Sequence, residues 1–342
     1  MFQMLRCLCR NYTVIPPTYT MRPGSLSKIG EHPLEHGGYA DVWRGELKTP
    51  TGRVKVALKV IRINAKCASR IRPNVCHEVV MWRRLRHRRI TPMFGVDETL
   101  FPLCIVSKWQ EHGTISAFLK QFPAENRLRL LIDVCEGLQY LHSQTFAHGD
   151  LKCSNILVDS TRHACLCDFG LTALIHGVNT VDPTTQSNGG QGTIQYMAPE
   201  LLYPEAFGLQ HAHVSLEADI YALAIVMWEI FAGRPPYSSW GSGQIHWRIL
   251  RGKRPPHLPD ALPLGLSDSV WKLMEECWQS DRCQRPQIRH VLSVLADAVK
   301  TSHHAVVRHS RATAHGAGRP SELCHHVLVC LPPYDTYVHK AI

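Results

Sequence analysis

HGDLKCSN, residues 148–155, and DFG, residues 168–170, are the two stretches that decide the fold. Asp150 can accept the proton of a substrate hydroxyl, and Asn155, five positions later, can bind a metal ion. Asp168 follows a strand predicted at residues 164–167 and supplies a second metal-binding carboxylate. The two stretches therefore predict a site in which a base and two metal ligands converge.

Two charged residues in the first quarter of the chain fit the same site. Lys59 lies on a strand predicted at residues 54–61, which would direct its ammonium group into a cleft, where it could bind the α and β phosphates of a nucleotide. A charged lysine that faces a cleft needs an acidic partner. Glu78, in a helix predicted after Pro73, is the natural candidate.

The first part of the chain is rich in predicted strands. Residues 39–45, 54–61 and 103–107 have the β-branched and aromatic content of strands. The single early helix is the stretch after Pro73, where four apolar residues recur at helical spacing, namely Val75, Val79, Trp82 and Leu85.

The later part of the chain is rich in predicted helices. Residues 128–138 and 288–295 show amphipathic periodicity, and residues 218–231 are apolar on nearly every face, with Gly233 as a stop signal. We therefore expect an α+β protein of two lobes, a small β-rich lobe with one helix and a larger, mainly helical lobe, with the ligand site in the cleft between them.

The predicted organisation has four segments. An N-terminal tail covers residues 1–25, the small lobe 26–107, the large lobe 108–298, and a C-terminal tail, expected to be disordered, 299–342.

The ordered set of residues resembles the catalytic and metal-binding loops of the eukaryotic protein kinases, and the resemblance extends from about residue 30 to residue 298. It implies that Asp150 is the catalytic base, that Lys152 neutralises the transferring phosphoryl group, and that Asn155 and Asp168 hold Mg²⁺. The cofactors it implies are ATP and Mg²⁺, with a protein as the substrate. The nucleotide-binding residues would be Leu34, Gly37, Gly38, Val42, Ala57, Lys59, Ser107, Trp109, Gln110, Asn155 and Asp168.

The same resemblance assigns structural roles outside the nucleotide site. Ala198, Pro199 and Glu200 match the motif that closes the activation segment, with Arg285 as the partner of Glu200. It also implies that Asp219 braces the catalytic loop, that Cys167 lines the nucleotide pocket, and that His148 is a packed, non-catalytic histidine.

Lys152, two positions after Asp150, is typical of serine/threonine kinases, and Gly192 with Thr193 agrees with this. Tyr196 and the run around Asp219 are similar to the tyrosine-kinase-like group, whose members mostly phosphorylate serine and threonine. We expect a protein serine/threonine kinase acting in signalling. Two alternatives stay open: a pseudokinase that serves as a binding or scaffold module, and dual specificity that includes tyrosine.

Two departures from the family pattern bear on activity. Glu35 stands where the phosphate-covering loop has its first glycine and Ala40 where it has its third, so a carboxylate is expected to weaken nucleotide binding without abolishing it. Gly149 stands where many kinases carry an arginine that pairs with a phosphorylated activation loop. A phosphate on a loop residue such as Thr180 therefore lacks this arginine as an ion-pair partner.

The composition bears on the partners and the cellular compartment of the protein. The net charge is +10, with a dense basic run at residues 83–89, for which a solvated helix end is favoured over a nucleic-acid site. Thirteen cysteines, an odd number, fit reduced thiols in the cytoplasm or nucleus, and no signal or membrane-spanning stretch is expected. The CxC pairs at 7/9 and 165/167 leave zinc as a minor alternative.

Overall fold

The computed structural model describes residues 12, 14–36, 40–62, 68–169, 194–240 and 244–314, without the side chains at 68–71, 74, 77–78 and 302–314. Gly37 and Gly38 of the predicted phosphate-covering loop, and Gly192, Thr193 and Thr180, lie outside these residues. The chain divides into two compact units, Met1–Thr301 and Ser302–Ile342. All described residues of the predicted site belong to the first unit.

A six-stranded antiparallel sheet forms the small lobe. Its strands are β1 Leu26–Ile29, β2 Glu35–His36, β3 Ala40–Thr49, β4 Gly52–Ile61, β5 Met93–Asp97 and β6 Cys104–Lys108. They pair in the order β1-β3-β4-β6-β5, with β2 paired to β3. Strands β3, β4 and β6 confirm the three predicted strands.

The alternation of side chains along β4 directs Lys59 to the cleft. Val56 and Leu58 are fully buried in a small apolar cluster with Leu47. Successive side chains on a strand point to opposite faces, so Ala57 and Lys59 face the other way, toward the cleft. The prediction that this strand presents Lys59 to the cleft is confirmed.

The helix α1, Ala68–Trp82, packs on this sheet. Val75, Val79 and Trp82 are buried, as their spacing predicts. The predicted start was wrong, because the helix begins before Pro73 rather than after it. Proline lacks an N–H group and usually marks a first turn, whereas here the helix accepts it in its second turn at the cost of one backbone hydrogen bond.

The described part of the predicted N-terminal tail packs against the small lobe. The Met21 N–H donates to the Val96 carbonyl of β5 at 2.8 Å, and Ile15 is buried. Gly95 permits this approach, because a Cβ there would lie 2.6 Å from the Tyr19 carbonyl oxygen. Residues 14–25 therefore contribute to the folded unit.

Seven α-helices and a short β-hairpin are the main elements of the described part of the chain beyond β6. The hairpin joins β7, Ile156–Val158, to β8, Ala164–Leu166. The helices are α2 Ile115–Gln121, α3 Arg127–Ser143, α4 Pro199–Leu202, α5 Leu216–Ala232, α6 Ile245–Leu250, α7 Asp268–Cys277 and α8 Ile288–Ala314. The last of these continues past residue 298, where the C-terminal tail was predicted to begin. None of the described helices is both long enough and apolar enough to cross a membrane.

Helix α5 is the central element of the large lobe. Every residue from Ala218 to Phe231 is buried, which confirms the all-round apolar pattern. Ser215 caps its start by accepting from the Ala218 N–H, and Gly233 ends it in the left-handed conformation at φ 64°. The helix therefore gives the site a rigid base.

Candidate active site

A cavity of about 200 Å³ opens between the sheet and the hairpin β7–β8. Nine residues that the sequence assigned to a nucleotide pocket line it, namely Leu34, Val42, Ala57, Lys59, Ser107, Trp109, Gln110, Cys167 and Asp168. Glu35 also lines this cavity. Trp82, whose spacing had suggested only a helix core, lines it as well, and no local signal in the sequence indicated that second contact.

Lys59 forms an ion pair with Asp168, with 2.8 Å between Nζ and Oδ1. Both side chains are about a fifth exposed, at 20% and 24%. Asp168 follows β8 and adopts a positive φ of 58°, a conformation that turns its carboxylate back toward β4. The predicted partner Glu78 lies in α1, but its side chain is outside the described residues, so a pair between Lys59 and Glu78 stays a prediction.

Asp150 sits at the centre of the loop that precedes β7. Its Oδ2 atom lies 2.8 Å from Lys152 Nζ and accepts a hydrogen bond from Asn155 Nδ2 at 2.9 Å. Its Oδ1 atom is buried and has no hydrogen-bond partner among the described residues. A buried carboxylate oxygen without a donor is costly, and it is available as a proton acceptor for a group that enters the cleft.

The donor set around Asn155 and Asp168 suits a hard cation. Asn155 uses its Nδ2 atom to bind the Asp150 carboxylate and carbonyl, which leaves its Oδ1 atom as an acceptor. A carboxylate and an amide oxygen are ligands that Mg²⁺ accepts, with phosphate and water oxygens completing the shell. In the described residues no cluster of three or more His, Cys, Asp or Glu forms a metal cage.

The cysteines beside this site do not resemble zinc ligands. Burial raises the pKa of the Cys165 thiol to about 12 and holds the pKa of Cys167 well above its ordinary value. Both thiols are therefore weaker acids than an ordinary cysteine, and neither belongs to a group of three or more possible metal ligands among the described residues. The other pair, Cys7 and Cys9, lies outside the described residues.

Asp219, in the first turn of α5, holds the Asp150 loop in place. Its carboxylate accepts the backbone N–H groups of His148 at 2.7 Å and Gly149 at 2.9 Å, and it contacts His142 Nε2 at 2.9 Å. Gly149 has a φ of 77°, a region that residues with a Cβ rarely enter. This is the bracing contact that the family resemblance implied.

An aromatic column connects the Asp150 loop to α1. The Phe169 ring lies 5.1 Å from the Trp82 ring and 5.8 Å from the His148 ring, both edge-on. His148 is fully buried, and burial lowers the pKa of its imidazole, so the ring is neutral. The prediction that His148 is a packed residue is confirmed.

Glu200 and Arg285 form a buried ion pair that contains two hydrogen bonds. The Arg285 guanidinium donates to both carboxylate oxygens of Glu200, at 2.6 and 2.7 Å. Their side chains are 1% and 0% exposed. The contact ties α4 to the turn before α8, as the resemblance implied.

Tyr196 takes part in a buried network that sequence reasoning did not foresee. Its hydroxyl donates to the carboxylate of Glu229 in α5, which also accepts from Ser116 Oγ at 3.2 Å. Burial raises the pKa of the Tyr196 hydroxyl, so it remains a donor. These residues lie 33 and 113 positions from Glu229, and no short motif connects them.

The basic run at residues 83–89 is only partly a solvated helix end. Arg89 is buried at 7% exposure, 2.7 Å from Asp133 and 3.1 Å from Glu136. Arg88 also pairs with Glu136, at 2.7 Å. The prediction was wrong for Arg89, because acidic residues of α3, about 45 positions away, neutralise it.

Comparisons with known proteins give the same reading as this geometry. The family model described as "Protein tyrosine and serine/threonine kinase" matches residues 29–295. Serine/threonine-protein kinase STY17 of Arabidopsis thaliana is 28% identical over 77% of the chain and 43% of that relative. Human Ephrin type-B receptor 4 is 29% identical over 79% of the chain and 26% of the receptor. The chain thus spans less than half the length of either relative.

Proposed function

Because the chain belongs to the protein tyrosine and serine/threonine kinase family, we propose that it transfers the γ-phosphoryl group of ATP to serine or threonine hydroxyls of a protein substrate. The observation that carries the proposal is the link between two groups of residues: Lys59 pairs with Asp168, Lys152 and Asn155 contact Asp150, and the N–H of Cys167, next to Asp168, donates to the Asn155 carbonyl at 3.0 Å. Inactive members of such a family usually lose the lysine or one of the two aspartates, and this chain keeps Lys59, Asp150 and Asp168.

The geometry supports an in-line displacement. The substrate hydroxyl oxygen forms a bond to the γ-phosphorus while the bond from phosphorus to the bridging oxygen of ADP breaks. The hydroxyl proton passes to Asp150, whose Oδ1 atom receives no hydrogen bond within the part of the chain that the structure describes. Lys152, 2.8 Å from Asp150 Oδ2, offsets negative charge on the transferring group. Mg²⁺, held by Asn155 and Asp168, would neutralise the phosphates, which Lys59 would also contact.

The choice of serine and threonine rests on Lys152. Its ammonium group lies beside Asp150, in the position that serine/threonine kinases use and that tyrosine kinases replace. Relatives of both kinds are similar to this chain, so the acceptor residue is the part of the proposal to test first.

The test incubates the protein with labelled MgATP and a generic protein substrate, followed by phosphoamino-acid analysis. Label on serine and threonine that disappears in Asp168→Asn supports the proposal. Label on tyrosine as well would replace it with dual specificity. Nucleotide binding without label would replace it with the pseudokinase module, the alternative that Glu35 in the cleft favours.

Removal of the Glu35 carboxylate is expected to tighten MgATP binding. At about 6 Å from a phosphate and an effective dielectric of about 20, the repulsion would be about 3 kcal/mol. Glu35 is exposed, so solvent and salt screen most of this, and we expect Glu35→Gln to lower the KM for MgATP roughly threefold to tenfold. Glu31→Gln, an exposed carboxylate that does not line the cavity, is the matched control. Equal KM values in both variants would contradict the repulsion.

Dependence on activation-loop phosphorylation is expected to be weak. Gly149 replaces the arginine that would bind a loop phosphate, and Asp219 already fixes the backbone at Gly149 by a 2.9 Å hydrogen bond. Phosphatase treatment should therefore leave kcat within about threefold of its starting value. A loss of activity that rephosphorylation restores would show that another cation takes the role of the missing arginine.

A further inference from the structure

Helix α6 exposes a large aromatic side chain. Its Ile245 and Ile249 are buried, whereas Trp247, which lies between them in sequence, is 48% exposed. Trp247 is the only exposed residue among the eight tryptophans of the chain, all of which the structure describes. Tryptophan is enriched at protein–protein interfaces, so this ring is a candidate contact for another protein.

Arginines stack on this surface. The Arg251 guanidinium carbon lies 3.5 Å from the centre of the Trp247 ring, one helical turn later. Arg248 lies 4.9 Å from the centre of the Trp240 ring. A stacked guanidinium keeps the N–H donors at its edge free for a carboxylate, and stacking reduces the entropy it loses on binding. We call Trp240, Trp247, Arg248, Arg251 and Lys253 the Trp247 surface.

The charge of the Trp247 surface is unbalanced. The sequence has no Asp or Glu between Glu229 and Asp260. In the described part of the chain no carboxylate lies at ion-pair distance from the three cations of this surface; Arg248 instead donates to Gln244 Oε1 at 2.8 Å. The basic run at residues 83–89 differs, because Asp133 and Glu136 pair with Arg88 and Arg89 at its end.

The surface lies beside the segment that leads to the active site. Helix α6 packs on α4, the short helix that follows Ala198 at the close of the activation segment. The ring of Tyr203, which ends α4, lies 6.2 Å from the ring of His246. A chain bound at the Trp247 surface would therefore lie close to the part of the large lobe that adjoins the Asp150 loop.

We propose that the Trp247 surface docks an acidic segment of a protein substrate. A carboxylate would form two hydrogen bonds with Arg251, and an apolar side chain beside it would pack on the Trp247 ring. A single-stranded nucleic acid fits less well, because such a ligand stacks successive bases on several exposed rings and Trp247 is the only exposed tryptophan. Because the docked protein is taken to be a substrate of the kinase, this inference rests on the proposed function.

The test is independent of catalysis. A fluorescein-labelled peptide in which Glu and Asp flank a central Leu is titrated with the full chain, and binding is followed by fluorescence anisotropy. We expect Arg251→Glu and Trp247→Ala each to weaken binding roughly tenfold or more. Lys272→Glu, an exposed charge reversal on α7, should change it by less than about twofold. Binding should also weaken when NaCl rises from about 0.1 M to about 0.5 M.

Three results would overturn the inference. They are equal binding by wild type and both variants, equal binding of a peptide with Gln and Asn in place of the acids, and binding of single-stranded RNA but not of the peptide. A kinetic arm separates docking from catalysis: attaching the acidic segment to a substrate should lower its KM in the wild type but not in Arg251→Glu, at unchanged kcat. If no phosphoryl transfer occurs, the anisotropy result still decides whether the surface binds acidic segments.

Discussion

Asp150→Asn is expected to lower kcat by roughly 10²- to 10⁴-fold, the range typical for loss of a general base. The Asp150 Oδ2 atom faces two donors, Lys152 Nζ at 2.8 Å and Asn155 Nδ2 at 2.9 Å. The new amide must therefore turn its oxygen toward them, which places its NH₂ group at the position of Oδ1. A donor then stands where the substrate hydroxyl needs an acceptor.

Nucleotide binding should separate this effect from a folding defect. Asp150 does not line the cavity that contains Lys59 and Ser107, so the affinity for MgATP should change by less than about threefold. The measurements are kcat and KM by steady-state kinetics and the nucleotide affinity by calorimetry. Asp260→Asn, at an exposed position of the large lobe, is the control and should behave as wild type. A variant that keeps kcat within tenfold of wild type would remove Asp150 from the role of base.

The elements of this fold that sequence alone predicts well are those with a strong local pattern. Residues 218–231 are apolar on all sides and stop at a glycine, and the structure places α5 at Leu216–Ala232. The β-branched content of residues 54–61 predicted strand β4, and that strand presents Lys59 to the cleft. The predicted start of α1 was wrong for a physical reason. The stabilisation from packing this helix on the sheet exceeds the cost of the backbone hydrogen bond that Pro73 cannot form.

Contacts between distant positions were predictable only where a family pattern supplied the pairing. The Asp219 brace spans 70 residues and was implied by the resemblance. The bond from Tyr196 to Glu229 and the neutralisation of Arg89 by Asp133 were missed, because neither pair leaves a periodic signal in the chain. Each joins two charged or polar groups whose proximity exists only after the helices pack.

Arg285→Met is expected to destabilise the fold by about 3–5 kcal/mol, because it leaves the Glu200 carboxylate buried without its partner. Glu200 is 1% exposed and accepts both of its short hydrogen bonds from Arg285. Arg285 also donates to the carbonyls of Gln279 at 2.8 Å and Glu217 at 3.0 Å, which would lose a donor in the variant. The loss should appear as a lower urea midpoint of unfolding.

A double variant separates the two contributions to this loss of stability, the uncompensated buried charge and the lost hydrogen bonds. Glu200→Leu in the Arg285→Met background removes the uncompensated carboxylate, so it should recover about half of the loss, while the orphaned carbonyls keep the rest. The control is Arg53→Met, which breaks an exposed pair with Glu46 at 2.9 Å and should cost less than about 1 kcal/mol. Equal losses for Arg285→Met and Arg53→Met would mean that water reaches Glu200 in solution. Since the pair anchors α4 at the close of the activation segment, the single variant should also lose kcat before it unfolds, and the double variant should regain stability without regaining that activity.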